Sequence, residues 1–278
     1  MDMSTNKQPK IAIIGAGWLG KPLARQLLSQ DYPLTVSCSH TEKSSSLVSQ
    51  GIPAVSATLS DEPQGDWKSL LSNKDIAICL LPASKGNHAS SPLAVQIEQL
   101  LALLKEYQVG KLIFISSTSI YQKTDQALTE TSLLNPNSTV YAAEQLIQQQ
   151  QDIDFTIIRF AGLISADRNP TRSLSKKSGN GHIFDAGESP VNLIHQYDAV
   201  GVIEQVIKQQ CWGEVFNASC DHHPCRQVFY QQAAKQLGIT IPSFTAKNSK
   251  PHCIIATEKL KQRLNYQFTH QSATDLVI

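Results

Sequence analysis

Residues 10–20 read K-I-A-I-I-G-A-G-W-L-G. The apolar run Ile11 to Ile14 breaks at Gly15, Ala16, Gly17, Trp18, Leu19 and Gly20, and an amphipathic segment, Lys21 to Gln30, follows at once. That is a strand, a tight turn and a helix. Gly15 permits the turn, Gly17 lets backbone N–H groups approach a pyrophosphate, and Gly20 lets the helix pack closely on the strand. The phosphates would lie on the helix N-terminus, where free N–H groups and the macrodipole favour negative charge. Gly15, Gly17, Trp18, Leu19 and Gly20 are therefore read as cofactor-binding. A lone G-x-G-x-x-G is weak evidence; the strand before it and the helix after it make it a dinucleotide site.

With 278 residues the chain holds one α/β domain, or a nucleotide domain with a smaller annex. Its 24 lysines and arginines nearly balance its 23 aspartates and glutamates, which leaves no electrostatic footprint for nucleic acid or an anionic membrane. The expected partner is a small-molecule substrate. Residues 1–9 lack the apolar core of a signal peptide, and no run reaches the roughly 18 apolar residues of a membrane span. The reading is a soluble cytoplasmic protein whose residues 1–9 form a disordered tail. Six scattered cysteines suit a reducing compartment. Cys220-Asp221-His222-His223-Pro224-Cys225 lacks the spacing of a structural zinc site, so no metal is expected.

Leu34 to Ser39 alternates as a second strand. An NAD-preferring fold usually places an acidic residue at its end, on the ribose 2′-OH. This chain has Ser39, His40 and Thr41 there, with Lys43 close behind, and hydroxyls with cations suit a 2′-phosphate. NADP is favoured over NAD. Ile52 to Thr58 is a third strand, and Asp75 to Leu81 is a continuous apolar run, hence a buried parallel strand. Ligands collect outside the carboxyl ends of such strands, so Leu81, Pro82, Ala83 and Ser84 should line the cofactor channel. The helix expected over 90–107 is apolar on more than one face, which suits a crossover helix that also meets a second copy; with the helix expected over 138–151 it motivates a homodimer. Lys111 to Ser116 is the next strand, placing Ser116 by the cofactor and Ser117, Thr118 and Ser119 beside it. Asp154 to Arg159 is a sixth strand. The alternation describes a Rossmann-type, doubly wound parallel sheet with helices on both faces, over residues 10–160. Residues 161–278 form a small substrate region that partly completes the sheet. Within it, 165–190 is polar and is expected to be a mobile loop. A strand at 191–195, a helix from Asp198 to Lys208, a strand at 214–217, a helix at 224–238 and a short helix at 257–263 follow.

The stretches G-A-G-W-L-G, D-I-A-I-C-L-L-P, F-I-S-S-T-S-I-Y, A-A-E-Q, I-I-R-F-A-G-L-I, V-N-L-I-H-Q-Y-D and V-F-N-A-S fall in the order found in extended, epimerase- or dehydratase-type short-chain dehydrogenases. The resemblance covers residues 10–265, and the chain is most similar to the short atypical branch that uses G-x-G-x-x-G. It implies catalysis by a Ser or Thr, a position Ser117 matches, and by a Tyr and Lys spaced Y-x-x-x-K. That dyad is broken. Anchored on Tyr141, the lysine position is Gln145; anchored on Glu144 of A-A-E, the tyrosine position is Pro136 and the lysine position Val140. The length of the connection to Arg159 favours the second register. By the same resemblance His195 precedes an aspartate-capped helix in a mainly structural stretch. Arg159 either binds an anionic substrate or pairs with a carboxylate. The expected activity is that of an NADP-dependent oxidoreductase or an epimerase/dehydratase-like enzyme, with Ser117 and Tyr141 as catalytic candidates. The broken dyad supports a second reading, a catalytically silent NADP sensor. A third, a ketoacid or imine reductase with a helical dimerisation domain, is opposed by the β-rich signals after residue 190.

Overall fold

The computed structural model describes residues 8–81, 92–245, 251 and 253–272. The chain divides into two compact units: residues 1–120, 136–158 and 206–214 make the first, and 121–135, 159–205 and 215–278 the second. Its first half runs β1 Ile11–Ile14, α1 Gly20–Leu28, β2 Leu34–Cys38, α2 Thr41–Ser49, β3 Ala54–Thr58, β4 Gln64–Gly65, α3 Trp67–Leu71, β5 Ile76–Cys79, α4 Leu93–Glu106 and β6 Lys111–Ser117. Next come α5 Tyr141–Gln148, β7 Asp154–Phe160, β8 Gly162–Ile164, α6 Thr171–Gly179, β9 Ile183–Phe184 and β10 Leu193–His195. The remainder is α7 Gln196–Lys208, β11 Glu214–Ala218, α8 Arg226–Gln236, β12 Ser243–Phe244 and α9 Glu258–Leu264.

Eight strands form one sheet in the order β11-β7-β6-β5-β1-β2-β3-β4. The chain walks outward from β1 through β2 and β3, then returns to β5 on the other side of β1 and walks outward again. The order therefore reverses between β1 and β5, and a crevice opens at the carboxyl ends of those strands. The pairs β1–β2, β1–β5, β2–β3 and β5–β6 are parallel, with Ile11 opposite both Leu34 and Ile76. All four residues of β1 and of β5 are buried, as their unbroken apolar sequences demand when both faces are covered. The fold is the mixed α/β, doubly wound architecture read from the sequence.

Two elements differ from expectation, and two expectations fall partly outside the described residues. The helix expected from Asn137 or Ser138 begins only at Tyr141, because Pro136 to Val140 form consecutive turns. The start of the helix expected from Ser90 lies outside the described residues, as does most of the expected N-terminal tail. The stretch 165–190, expected as a loop, contains α6 and β9. The Asn169 side chain accepts the Thr171 N–H at 3.0 Å, starting α6, and Leu174 packs it on a core of Ile164, Val191, Leu193, Phe229 and Tyr230. One apolar anchor in nine residues is too little for periodicity to reveal. Among the described residues no helix is long and apolar enough to cross a membrane.

Within the first unit α4 buries Ile97, Leu100, Leu101 and Leu104 and packs against α5. In the second unit β8 pairs in parallel with β10, and β9 with β12. Asp198, fully buried in the first turn of α7, accepts the Thr269 N–H at 2.8 Å, the His270 N–H at 3.0 Å and the Tyr266 hydroxyl at 3.1 Å, and its carboxylate lies 2.9 Å from His270 Nδ1. One carboxylate thus ties residues 266–270 to the start of α7. Gly201, one turn on, leaves room for this: a Cβ there would lie 2.4 Å from the Tyr266 hydroxyl. Helix propensity alone would make Gly201→Ala stabilising by about 1 kcal/mol. The clash reverses the sign, and we expect a loss of about 1–3 kcal/mol in urea denaturation. Adding Tyr266→Phe, which removes the clashing oxygen, should recover part of that loss.

Candidate cofactor site

The three glycines of the first turn separate by what each would meet with a side chain. Gly15 adopts φ +107°, open to glycine alone at little cost. A Cβ on Gly20 would lie 2.1 Å from the Gly15 carbonyl oxygen, so α1 starts in contact with the end of β1 only because that atom is missing. Gly17 is different. It is exposed, and a Cβ there meets nothing within 4 Å. The turn itself does not need a glycine at 17; a ligand approaching the backbone does. Leu19, the N-cap of α1, offers no side-chain cap, and no acidic residue stands in the first turn, which leaves the helix's positive end available to an anion. Trp18 is half-buried and Leu19 buried beside it.

Ser37, which the sequence reading passed over, holds this turn from β2. Its Oγ accepts the Gly15 N–H at 3.0 Å and its carbonyl accepts the Ala16 N–H at 2.7 Å. The side chain is 2% exposed. The only available signal was a hydroxyl at a strand position just short of the ligand edge. From the other side, the Leu80 N–H donates to Ile14 O at 3.0 Å and its side chain lies beside Gly20. Leu81 follows, half-buried; Pro82, Ala83 and Ser84 lie outside the described residues.

β2 ends at Cys38, and Ser39, His40, Thr41 and Lys43 are all exposed at the start of α2. His40 is the N-cap residue in extended conformation, and its side chain makes no capping hydrogen bond. The predicted 2′-phosphate residues are therefore brought together on an open helix N-terminus at the same sheet edge as the glycine turn. Glu42, also exposed in that first turn, is a carboxylate the sequence reading did not weigh.

At the end of β6, Ser116 is 5% exposed and donates its hydroxyl to Glu144, itself 0% exposed on α5, at 2.5 Å. The Ser116 proton is thus committed to the helix. Ser117 is half-buried, and its Oγ accepts the Ser119 N–H at 3.1 Å, so its own hydroxyl proton points elsewhere and can be donated to a carbonyl. Tyr141 opens α5, half-buried and three residues before Glu144. Residues three apart share a helix face, so the phenol lies on the face whose carboxylate reaches the end of β6. No cation stands at either lysine position: Gln145 is half-buried and neutral, and Val140 is fully buried.

The second unit holds its own buried network. The Tyr121 hydroxyl donates to Asn217 Oδ1 at 2.6 Å and accepts from Arg159 Nη1 at 2.8 Å; Arg159 also donates to the Glu130 carbonyl at 3.2 Å, and the Glu130 carboxylate accepts the Asn217 N–H at 2.8 Å. Arg159 is 2% exposed, so this network, not an open ligand edge, receives its charge. Burial pushes the Tyr121 phenol up, against the opposing pull of the Arg159 guanidinium. His195 lies 3.9 Å, centroid to centroid, from the His270 ring, and its Nδ1 accepts the Tyr197 N–H. Burial holds its pKa below the usual histidine value, with the His270 ring adding to the effect and Asp198 opposing it. Cys220 is buried and donates its thiol to the His222 carbonyl at 3.4 Å.

The sequence pattern of a family described as NAD(P)H-binding matches residues 15–185. The chain belongs to the NAD(P)H-binding family. It is 28% identical over 268 residues to protein YeeZ of Escherichia coli K12, covering 94% of this chain and 96% of that one. UDP-glucuronic acid 4-epimerase of Bacillus cereus, solved with NAD, superposes with a TM-score of 0.78 at 20% identity over 96% of this chain and 94% of its own. A functionally unknown conserved protein of Silicibacter pomeroyi superposes at 0.76, with 18% identity and 97% of each chain covered. The fold is that of the short-chain dehydrogenases and epimerases, as the resemblance implied, and the NAD(P)H-binding assignment agrees with a glycine turn whose middle member opens outward.

This geometry separates binding from folding. Gly17→Val should abolish nicotinamide dinucleotide binding in calorimetry while the thermal midpoint stays within about 2 °C, since nothing crowds the new side chain. Gly20→Ala should instead destabilise the fold by about 1–3 kcal/mol. Retained affinity in Gly17→Val would reduce the turn to a structural role.

Proposed function

We propose that the protein is an NADP-dependent oxidoreductase of the atypical short-chain dehydrogenase branch that works as a carbonyl reductase. The observation that carries this reading is the pair of proton donors at the end of β6. Ser117 accepts the Ser119 N–H and so has its hydroxyl proton to give to a substrate oxygen, and Tyr141 stands on the α5 face whose Glu144 reaches the same strand end. Bound at the glycine turn, the nicotinamide would supply the hydride. Ser117 orients the carbonyl and Tyr141 delivers the proton to its oxygen. In both registers of the dyad the lysine that would support a tyrosinate base is replaced, by Gln145 or by Val140, so we assign Tyr141 the role of donor. Among the described residues neither register supplies the lysine that alcohol oxidation, and with it the oxidative half of an epimerisation, would use.

Preference for the 2′-phosphorylated cofactor is supported by the exposed hydroxyls of Ser39 and Thr41 with His40 and Lys43 at the open start of α2. The neutral Gln145 and the buried Val140 favour a second reading, a protein that binds the cofactor without chemistry and reports its state to a partner.

Titration calorimetry should give NADPH the tighter binding, and Lys43→Ala should cost it roughly tenfold, the worth of one charge-assisted hydrogen bond, while leaving NADH unchanged. With NADPH and a broad panel of aldehydes and ketones, Tyr141→Phe should lower turnover by about 10² to 10⁴, the usual share of general acid catalysis, at unchanged cofactor affinity. Ser117→Ala should weaken the same activity. Rapid alcohol oxidation lost in Tyr141→Phe would contradict the proposed direction. Absence of turnover on the whole panel would favour the sensing reading.

A further inference from the structure

Helix α6 ends on the one Asn-Gly pair in the sequence, Asn180 and Gly181. Asn180 is the C-cap residue, with φ −92° and ψ 18°, and Gly181 turns the chain toward β9 at φ +83°. Both are exposed, and a Cβ built on Gly181 meets nothing within 4 Å, so the turn stands clear of its surroundings. Backbone hydrogen bonds close it: Asn180 and His182 each donate to the Lys177 carbonyl at 3.1 Å, and Gly181 donates to the Ser178 carbonyl at 2.9 Å. A polar helix of 9 residues, docked through Leu174, opens readily at such an end. The Ser178 hydroxyl ties this turn to its neighbours. It donates to the His182 carbonyl at 3.0 Å and accepts the Ser243 N–H at 3.2 Å, joining the end of α6 to the residue before β9 and to β12. The strands themselves pair only through Ile183 with Ser243 and Phe184 with Phe244, so much of their register rests on that hydroxyl.

We propose that Asn180 is a site of spontaneous deamidation and backbone isomerisation, and that the isomerised chain loses the Ser178 joint. When the turn opens, the Gly181 backbone nitrogen gives its proton to hydroxide and attacks Asn180 Cγ. A C–N bond forms, closing a succinimide ring, as the Cγ–Nδ2 bond breaks. Nδ2 leaves with the electron pair, takes a proton from water and departs as ammonia. One water then opens the ring at either of its C–N bonds. Opening at Cγ restores the ordinary backbone with an aspartate at 180; opening at the main-chain carbonyl leaves Gly181 attached through Cγ, an isoaspartate. Glycine makes the nitrogen accessible, because no side chain on its α-carbon hinders the ring closure. The aspartate product adds charge alone, opposed by the negative end of α6 and favoured by the exposed Lys176 and Lys177 of its last turn. The isoaspartate product adds a carbon to the main chain between Ser178 and His182. That insertion falls inside the loop which the Ser178–His182 hydrogen bond closes, so the His182 carbonyl is carried away from the hydroxyl and β9 shifts against β12.

The test is to age the purified chain at neutral pH and in mild alkali, then map it by peptide mass spectrometry with a separation that resolves aspartate from isoaspartate. Asn180 should gain the amide-to-acid mass difference at least about tenfold faster than the exposed Asn73 and Asn137, which precede Lys74 and Ser138, a decade of rate that about 1.4 kcal/mol of relieved barrier supplies. The reaction should quicken in alkali, where the attacking nitrogen loses its proton more often. A rate at Asn180 no higher than at Asn73 and Asn137 overturns the proposal. Amide hydrogen exchange over residues 178–184 and 243–245 should be faster in the isoaspartate-bearing fraction than in the fresh chain, and unchanged exchange there overturns the loss of the joint. Asn180→Asp, which carries the charge without the extra carbon, should exchange as the parent does; exchange as fast as in the isoaspartate fraction would overturn the argument from backbone length. Asn180→Gln, whose longer side chain closes a larger ring more slowly, should keep its mass and its exchange pattern on ageing, and acceleration in that variant too would place the cause elsewhere.

Discussion

The approach of Gly20 to the carbonyl of Gly15 is the contact on which the nucleotide edge depends. A single methyl group on Gly20 would sit 2.1 Å from that oxygen, so α1 can begin at the end of β1 only at a residue with no side chain. Three strands then converge on the turn. β1 enters it, β2 holds two of its N–H groups through Ser37, and β5 lays Leu80 against its helix side. This convergence also places the start of α2 and the end of β6 at the same edge, because β2 and β6 are fixed by parallel ladders on either side of the β1–β5 pair.

That edge was legible in the sequence because its demands are local and strict. A strand buried on both faces must be apolar throughout, and the turn needs glycine at fixed spacing, so β1, β5 and the glycine motif announce themselves. Ser37 did not, since a hydroxyl in a strand reads as an outward residue until the N–H it accepts is known. Helix α6 was hidden for another reason: it is polar on most of its surface and docks through Leu174. Asp198 was read as the cap of a helix, but the groups it holds lie 68 to 72 residues further along the chain. No pattern of neighbours can show such a partner. The pairing of Arg159 with Tyr121, 38 residues away, was open for the same reason.

Two buried carboxylates, Glu144 and Asp198, illustrate how charge is tolerated here. Each is fully shielded, and each is given donors. Asp198 collects backbone N–H groups, a phenol and an imidazole, enough to fix a chain segment whose own apolar content is small. Glu144 takes the Ser116 hydroxyl and so joins α5 to β6 at one defined height. A buried charge is costly unless satisfied, and that cost makes the satisfied arrangement specific: sliding α5 by one residue along β6 would strand the carboxylate.

The same constraint bears on the chemistry. Glu144 fixes the height of α5 against β6, and turns from Pro136 to Val140 delay its start, so Tyr141 is the first residue of the helix. The position a turn earlier, where a longer helix would carry a tyrosine, is Pro136, and the position for its lysine is Val140, fully buried and apolar. A cation there would need space and solvent that the core does not offer. What stands at the end of β6 is a hydroxyl with one lone pair occupied by the Ser119 N–H, and Tyr141 opens α5 with Gln145 and Val140 at the two lysine positions. Both groups are arranged to give hydrogen bonds. In the proposed reduction two such donors would suit an oxygen that gains negative charge, as a carbonyl does when it is reduced.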